Sequence, residues 1–267
     1  QFDTLAFKLE QIQKKSDLHT VRGQAHISGL TLHQQRISPD TVLLDQATLD
    51  CLVNIGKNYL ELDSASLINF NRLDFHPYLK TEKNQDWHIT ASVNKQDFPA
   101  NDLFASLPRG LFYNLEGLRA DGTLSYHFLL DMDLALLDSL QLESSLTARN
   151  FRIVQYGNTD LRKMNEPFEY TAYENGEPVR TFEIGESNPS FRPFQAVSRY
   201  LPLAIMQSED AGFFHHNGFI PSAIRESLIL DLKERRFARG GSTLSMQLVK
   251  NVFLSRNKTI ARKLEEM

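Results

Sequence analysis

The chain has 267 residues, of which 41% are hydrophobic and 23% charged, with a formal net charge of -4. This length predicts one large or two ordinary domains that each bury a core, and the composition excludes a disordered or fibrous chain. The mild acidity argues against a nucleic-acid partner, and Cys51, as the single cysteine, excludes an intrachain disulfide and a cysteine-based metal cluster.

The first residues of the chain fit two kinds of secondary structure. Phe2, Leu5, Leu9 and Ile12 lie near helical spacing, whereas "DTLAFKLEQIQ" also fits the alternation of a strand. Both interpretations stay open from the sequence.

Residues 18–153 repeatedly alternate apolar and polar side chains over short runs, as in "WHITASV", "GTLSYHFLLDMDL" and "SLQLESSLTARNFRIV". Such period-two alternation, bounded by Gly, Asn, Asp and Pro, predicts half-buried strands joined by turns. We therefore expect a β-rich domain built on an extended antiparallel sheet. Within it, the spacing of Leu103, Phe104 and Leu107 before Pro108 predicts a short helix packed on the sheet.

The pattern changes after "GNTDLRKMNEPFEY". The segment "FEYTAYENGEPVRTFEIG" predicts a hairpin that turns at Asn175 and Gly176. Beyond "ESNPSFRP" the apolar spacing becomes helical, in "AVSRYLPLAIMQSE" as one helix or a pair broken at the proline, then in "PSAIRESLILDLKERRF", "STLSMQLVKNVFL" and "TIARKLEEM". The sequence therefore predicts an α+β protein, with a β-rich domain at residues 1–165 and a mainly α domain at residues 166–267.

Capping residues support three of these helix starts. Pro221 suits the first turn of its helix, either Ser242 or Thr243 can cap the next, and Thr259 can cap the last.

The stretch "SEDAGFFHHNGF", at 208–219, combines acidic, aromatic, histidine and glycine residues. A carboxylate at a helix end, facing a glycine-flexible loop, can be presented to a ligand. By itself the stretch favours a simpler interpretation, in which Glu209 and Asp210 form a solvated helix end and Phe213 and Phe214 belong to the core.

Three motifs that follow one another in order and at close spacing favour a functional site instead. "EDAGFFHHNG" resembles the ED-x-x-F-x-x-H-x-G motif of the peptidoglycan glycosyltransferases, the transglycosylase domain of class A penicillin-binding proteins (glycosyltransferase family 51) and their monofunctional relatives. "GGSTLSMQLVKN" resembles their second motif and "RKLEE" their third, R-K-x-x-E. The resemblance covers roughly residues 168–267 and implies the first part of a lysozyme-like transglycosylase fold. Met246 and His215 depart from the residues common in the family.

By this resemblance the protein polymerises lipid II into glycan strands by inverting transfer, with release of undecaprenyl diphosphate. Such a reaction needs a base, counter-charge for the diphosphate and fixed geometry. The resemblance implies Glu209 as the base for the acceptor's 4-hydroxyl. Lys250, Arg262 and Lys263 would bind the donor diphosphate, and Glu266 would be a second catalytic carboxylate that orients Lys250 and Arg262 or binds Mg2+. The other predicted substrate-binding residues are Asp210, Phe213, His216, Ser242, Thr243, Gln247 and Asn251.

Several of these residues also have structural interpretations. Asp210 can cap or pair locally, His216 can be a structural hydrogen-bonding residue, and Ser242 and Thr243 serve as caps in any case. Gln247 lies three residues before Lys250 on the same side of a helix, which favours a role in the site.

The β-rich domain contains no recognisable catalytic triad, metal spacing or phosphate loop. Its series of amphipathic strands with few helices resembles AsmA-like periplasmic proteins. This resemblance suggests a spacer or interaction module, or a groove that binds lipid. The alternative function is accordingly a non-catalytic envelope scaffold or lipid-binding protein with an idle transglycosylase domain. Lytic cleavage of glycan has little use for "GGSTLSMQLVKN" and its diphosphate-binding cations.

The ends of the chain and the lengths of its apolar runs indicate where in the cell the protein is expected to lie. No run of about 18 apolar residues occurs, so we expect no transmembrane helix here. The chain begins with Gln1 and ends within a helical pattern, so we expect a piece of a longer, membrane-anchored protein on the periplasmic side of the inner membrane. Without the remaining helical lobe we expect this piece to be inactive. The expected partners are lipid II, the growing glycan strand and cell-wall synthesis proteins.

Overall fold

An antiparallel sheet occupies most of the first 155 residues in the computed structural model, which describes residues 1–174, 176–236, 241–255, 257 and 259–266. Its strands are β1 (Thr4–Lys15), β2 (Leu18–Leu32), β3 (Val42–Gly56), β4 (Tyr59–Leu62), β5 (Leu67–Phe70), β6 (Leu73–Phe75), β7 (Pro77–Lys83), β8 (Trp87–Pro99), β9 (Arg119–Asp133) and β10 (Gln141–Gln155). The order across the sheet is β1-β2-β3-β4-β7-β8-β9-β10, with β5 and β6 paired beside β3. The predicted extended antiparallel sheet is confirmed, and the strand interpretation of the first residues is the correct one.

The register gives the sheet one apolar and one polar face. One row of cross-strand neighbours runs through all eight strands of the main order, and every member is apolar: Ile12, Val21, Val53, Leu62, Leu79, Ala91, Leu130 and Leu142. The adjacent row consists of their sequence neighbours, and every member is polar: Gln13, Thr20, Asn54, Glu61, Lys80, Thr90, Asp131 and Gln141. Because successive side chains point to opposite faces of a strand, the alternation seen in the sequence produces this two-faced sheet.

A short helix covers part of the apolar face, as predicted. This helix, α1 (Ala100–Ser106), connects β8 to β9. Near it, Phe98, Ala100, Leu118, Ala120 and Leu124 form the buried cluster of the sheet. The core therefore lies where α1 covers the apolar face and shields it from water.

Beyond residue 165 the chain forms a hairpin and then helices, which confirms the predicted change of architecture. The hairpin pairs β11 (Phe168–Glu174) with β12 (Glu177–Ile184). Gly176 takes a φ of 91° in its turn, and Asn175, the other predicted turn residue, lies outside the described residues. The helices are α2 (Tyr200–Glu209), α3 (Pro221–Glu234), α4 (Leu244–Val252) and α5 (Ile260–Glu265).

The helix starts follow the capping signals. Pro221 opens α3, where a missing N–H is harmless. The hydroxyls of Thr243 and Thr259 accept hydrogen bonds from the amides of Met246 and Arg262, each at 3.2 Å. Of the two candidates for the α4 cap, Thr243 is therefore the cap. The α2 helix is continuous, because its proline lies in the first turn.

The helical region contacts the connection between β9 and β10. The guanidinium of Arg225 on α3 donates to the carbonyl oxygens of Leu140 and Asp138, and the Lys233 ammonium lies 2.5 Å from the Asp138 carboxylate. Among the described residues, none of the helices is long and apolar enough to cross a membrane.

Candidate functional site

A buried carboxylate ties the first motif to the second. Asp210 follows α2 directly, and its side chain is only 1% exposed. Its Oδ2 accepts from the backbone amide of Leu244 at 3.1 Å, at the start of α4, where the first amides have no partner inside the helix. The helix dipole also favours a negative charge at this point. Asp210 therefore holds the two motifs together.

The hydrogen bonds around His216 define its tautomer. The amide of Gly218 donates to Nδ1 at 3.0 Å, so Nδ1 carries no proton. The proton then resides on Nε2, which donates to the Asp210 carboxylate at 3.0 and 3.1 Å. Gly218 has a φ of 89°, a conformation that favours glycine. The conformation of this loop thus depends on the glycine of the first motif.

Thr243 joins the same network from the other side. Its hydroxyl donates to the Gly218 carbonyl at 2.5 Å while it accepts from Met246. Met246 is buried beneath this junction. The preceding Gly241 packs against α3, where an added Cβ would lie 3.0 Å from the Ala223 carbonyl oxygen. The backbone of the loop before α4 therefore packs closely against the backbone of α3. Gly240, the other glycine of the motif, lies outside the described residues.

Glu209, the predicted base, has a different environment from its neighbour. It is exposed at the end of α2. Its Oε2 accepts from the side-chain amide of Gln247 at 3.1 Å. This contact orients the carboxylate and leaves lone pairs open to an incoming hydroxyl. The structure thus separates the acidic pair into an exposed carboxylate and a buried one.

The third motif forms a compact charge cluster on α5. The Glu266 side chain, 2% exposed, accepts from the Arg262 guanidinium and from the Lys263 ammonium at 2.7 Å. The same ammonium donates to the hydroxyl of Ser242 at 2.7 Å. The second and third motifs therefore meet at Ser242, and the cluster carries one net positive charge.

The remaining predicted residues lie on the same elements. Phe213 is half-buried and packs edge-to-face against Phe214, which is 77% exposed, so the core interpretation of Phe214 is wrong. Lys250 and Asn251 are half-buried near the end of α4. Within the described residues, no ion pair joins Lys250 to Glu266. Of Lys250 and Arg262, the two cations that Glu266 was predicted to orient, Arg262 is the one that contacts it among the described residues.

The donor set at Glu266 does not fit a resident magnesium ion. Both carboxylate oxygens already face cations, and the described residues contain no group of three or more metal-binding side chains. A divalent ion prefers several oxygen ligands without competing cations. A requirement of the reaction for magnesium stays a prediction.

Two contacting residues were missed by sequence reasoning. The Glu265 carboxylate accepts from the backbone and side-chain nitrogens of Asn114, at 3.0 and 3.1 Å. Burial raises the pKa of Glu265. No sequence signal could have revealed a contact between residues 151 positions apart.

Comparison with known proteins agrees with the three motifs. A family model described as "Transglycosylase" matches residues 175–267. Residues 175–267 are a transglycosylase segment. A biosynthetic peptidoglycan transglycosylase of Nitrosomonas eutropha is 47% identical over 73 residues, which are 27% of this chain and 30% of the relative.

Penicillin-binding proteins are also similar to this segment. Penicillin-binding protein 1B of Haemophilus influenzae is 45% identical over 74 residues, 28% of this chain and 10% of the relative. Penicillin-binding protein 1A/1B of Bacillus subtilis is 33% identical over 109 residues, 40% of this chain and 12% of the relative. The chain thus covers less than a third of the length of each relative named here. No solved structure matches it.

Proposed function

We propose that the protein is a peptidoglycan glycosyltransferase that polymerises lipid II by inverting transfer and releases undecaprenyl diphosphate. The observation that carries the proposal is the continuous hydrogen-bonded connection of all three motifs. Asp210 contacts Leu244, Glu209 contacts Gln247, and Lys263 contacts Ser242. An exposed carboxylate and a cationic cluster are thereby held on one small framework.

Glu209 acts as the general base in this proposal. The 4-hydroxyl of the acceptor sugar gives its proton to Glu209 as its oxygen forms a bond to the donor's anomeric carbon. The bond from that carbon to the diphosphate breaks, and the diphosphate leaves with the electron pair. A positioned base contributes roughly a hundredfold or more to such a step. The exposure of Glu209 and its contact with Gln247 suit this role.

The cations stabilise the diphosphate as its charge develops. Lys263 and Arg262 lie against the buried Glu266 carboxylate, which fixes their positions before substrate arrives. Pre-organised charge of this kind costs no rearrangement during the reaction. We propose Lys250 on α4 as a further cation for the diphosphate, and Ser242, Thr243 and Asn251 as its polar contacts. Asp210, Phe213 and His216 shape the loop that presents Glu209.

The proposed setting follows from the substrate. Lipid II and the growing glycan strand are the proposed partners, together with cell-wall synthesis proteins. The reaction places the protein on the periplasmic side of the inner membrane, anchored through a segment outside this chain.

The test is polymerisation of purified lipid II by the full-length protein in vesicles, with glycan products and released undecaprenyl diphosphate measured together. We expect the amounts of glycan and of released undecaprenyl diphosphate to rise in proportion to the lipid II consumed. Consumption without undecaprenyl diphosphate, or no glycan at all, would contradict the proposal.

A second candidate function, binding of a lipid chain by the sheet, is favoured by the apolar face. The apolar row spans about 34 Å, from seven strand spacings of about 4.8 Å. Beside it a cavity of about 390 Å³ is lined by Leu73, Phe75, Val93, Lys95, Phe98, Leu103, Tyr126 and Leu146. A fluorescent fatty acid should bind and lose affinity in a Val93→Asp variant. Unchanged affinity would exclude this face as its site.

A further inference from the structure

The helix of the third motif is attached to the sheet domain through its backbone. The amides of Ile260 and Ala261 donate to the carbonyl oxygens of Arg36 and Ile37, each at 3.0 Å. The first amides of a helix have no partner within the helix. In α5 the loop between β2 and β3 supplies those partners, so the sheet domain completes the start of this helix.

A side-chain contact fixes the rotation of the same helix. Ala261, which is 3% exposed, and Glu265 lie four residues apart on the face of α5 that meets the sheet domain. Glu265 accepts two hydrogen bonds from Asn114. Arg262, Lys263 and Glu266 form their charge cluster on the same short helix. Rotation of α5 would therefore break the Asn114 contact and move the cations together.

Asn114 is itself held in place by contacts outside α5. The Thr159 hydroxyl donates to the Asn114 side-chain oxygen at 2.6 Å, and the Thr159 amide donates to its carbonyl at 3.3 Å. An added Cβ at Gly157 would lie 2.6 Å from that carbonyl oxygen. The side-chain nitrogen of Asn114 is thus aimed at Glu265 by two hydrogen bonds from Thr159.

We infer that the sheet domain is a positioning element for the diphosphate end of the site, and that Asn114, through Glu265, is its positioning residue. Its consequences for diphosphate binding and for turnover rest on the proposed function, whereas its consequence for the position of α5 does not. Geometric shifts of about 1 Å can change catalytic rates by about a hundredfold, so a fixed helix is of direct value to such a site.

An exchange of donor and acceptor tests the contact. Asn114→Asp keeps the oxygen that faces Thr159 but places a carboxylate against Glu265. Adding Glu265→Gln restores a complementary pair, because the new amide can donate to the aspartate and its oxygen can accept from the backbone amide of residue 114. Asn69→Asp is the matched control, since Asn69 donates to Thr48 at 3.1 Å within the sheet, away from α5.

Three measurements on the full-length protein read the result. In Asn114→Asp, we expect amide exchange at Ile260 and Ala261 to quicken at least about tenfold. We expect the affinity for inorganic pyrophosphate to fall about tenfold and kcat for lipid II to fall more than KM rises. The double variant should return each value to within about threefold of wild type, and Asn69→Asp should leave all three unchanged.

The outcomes separate the two proposals. Unchanged exchange and pyrophosphate affinity in Asn114→Asp, or no recovery in the double variant, would overturn the positioning role. Recovery of both in a protein that makes no glycan would support the positioning role and overturn the proposed polymerase activity.

Discussion

Replacing Asp210 by Asn should destabilise the junction of the first two motifs. The carboxylate, 1% exposed, accepts from Leu244 through one oxygen and from His216 through both. An amide has one oxygen, so its NH2 group would face one of these donors. His216 cannot compensate by moving its proton, because Nδ1 already accepts from Gly218.

The expected loss is about 2 kcal/mol, the contribution of one hydrogen bond to a charged group together with the donor left unpaired. If α4 opens locally, the Leu244 amide should exchange roughly 30-fold faster, since each 1.4 kcal/mol is about tenfold. Hydrogen exchange followed by mass spectrometry or NMR measures this amide directly. Denaturant unfolding of the helical region should show the same loss.

The neighbouring carboxylate provides the matched control. Glu209 is exposed, so Glu209→Gln should change stability by less than about 0.5 kcal/mol. Equal effects of the two substitutions on Leu244 exchange would refute the assignment of Asp210 as the structural member of the pair.

Three further predictions concern other parts of the chain. Lys250→Ala should weaken pyrophosphate binding about tenfold, measured by calorimetry, with little change in the unfolding midpoint; a large stability loss with intact binding would contradict it. Leu124→Ala, at a side chain 2% exposed, should lower the free energy of unfolding by about 2–5 kcal/mol, whereas Leu136→Ala, at 59% exposure, should cost much less in the same urea titration. Because burial raises the pKa of Glu265 above its ordinary 4.5, this carboxyl binds more protons in the folded than in the unfolded protein just above pH 4.5. Its contribution to stability should therefore fall as the pH rises through that window, and Glu265→Gln should remove this contribution when the two proteins are compared by denaturant unfolding; parallel pH profiles would contradict it.

The strands and helices could largely be predicted because their signals are local. The alternation along "GTLSYHFLLDMDL" matches the apolar and polar rows of the sheet, and Thr259 and Pro221 begin their helices as expected. The first strand was ambiguous for a physical reason. A bulge between Leu9 and Gln11 shifts the alternation by one residue, so Leu9 and Ile12 share a face although three positions separate them. That spacing also suits a helix.

The motifs identify candidate site residues, but the sequence does not give their geometry. The motif identified Glu209 and Asp210 together, and nothing in their order indicates that one is exposed and the other is buried beneath three hydrogen bonds. The substrate-binding roles assigned by resemblance stay predictions. The contact of Asn114 with Glu265 depends on tertiary packing, which a local pattern cannot encode.

The role of Glu209 as general base is tested most directly by the rate of lipid II polymerisation by full-length Glu209→Gln. Glu234→Gln is its matched control, an exposed carboxylate at the end of α3. We predict that Glu209→Gln binds lipid II with nearly wild-type affinity and polymerises it at least roughly a hundredfold more slowly, while Glu234→Gln behaves as wild type. Polymerisation by Glu209→Gln at the wild-type rate would contradict the role of Glu209 as the base.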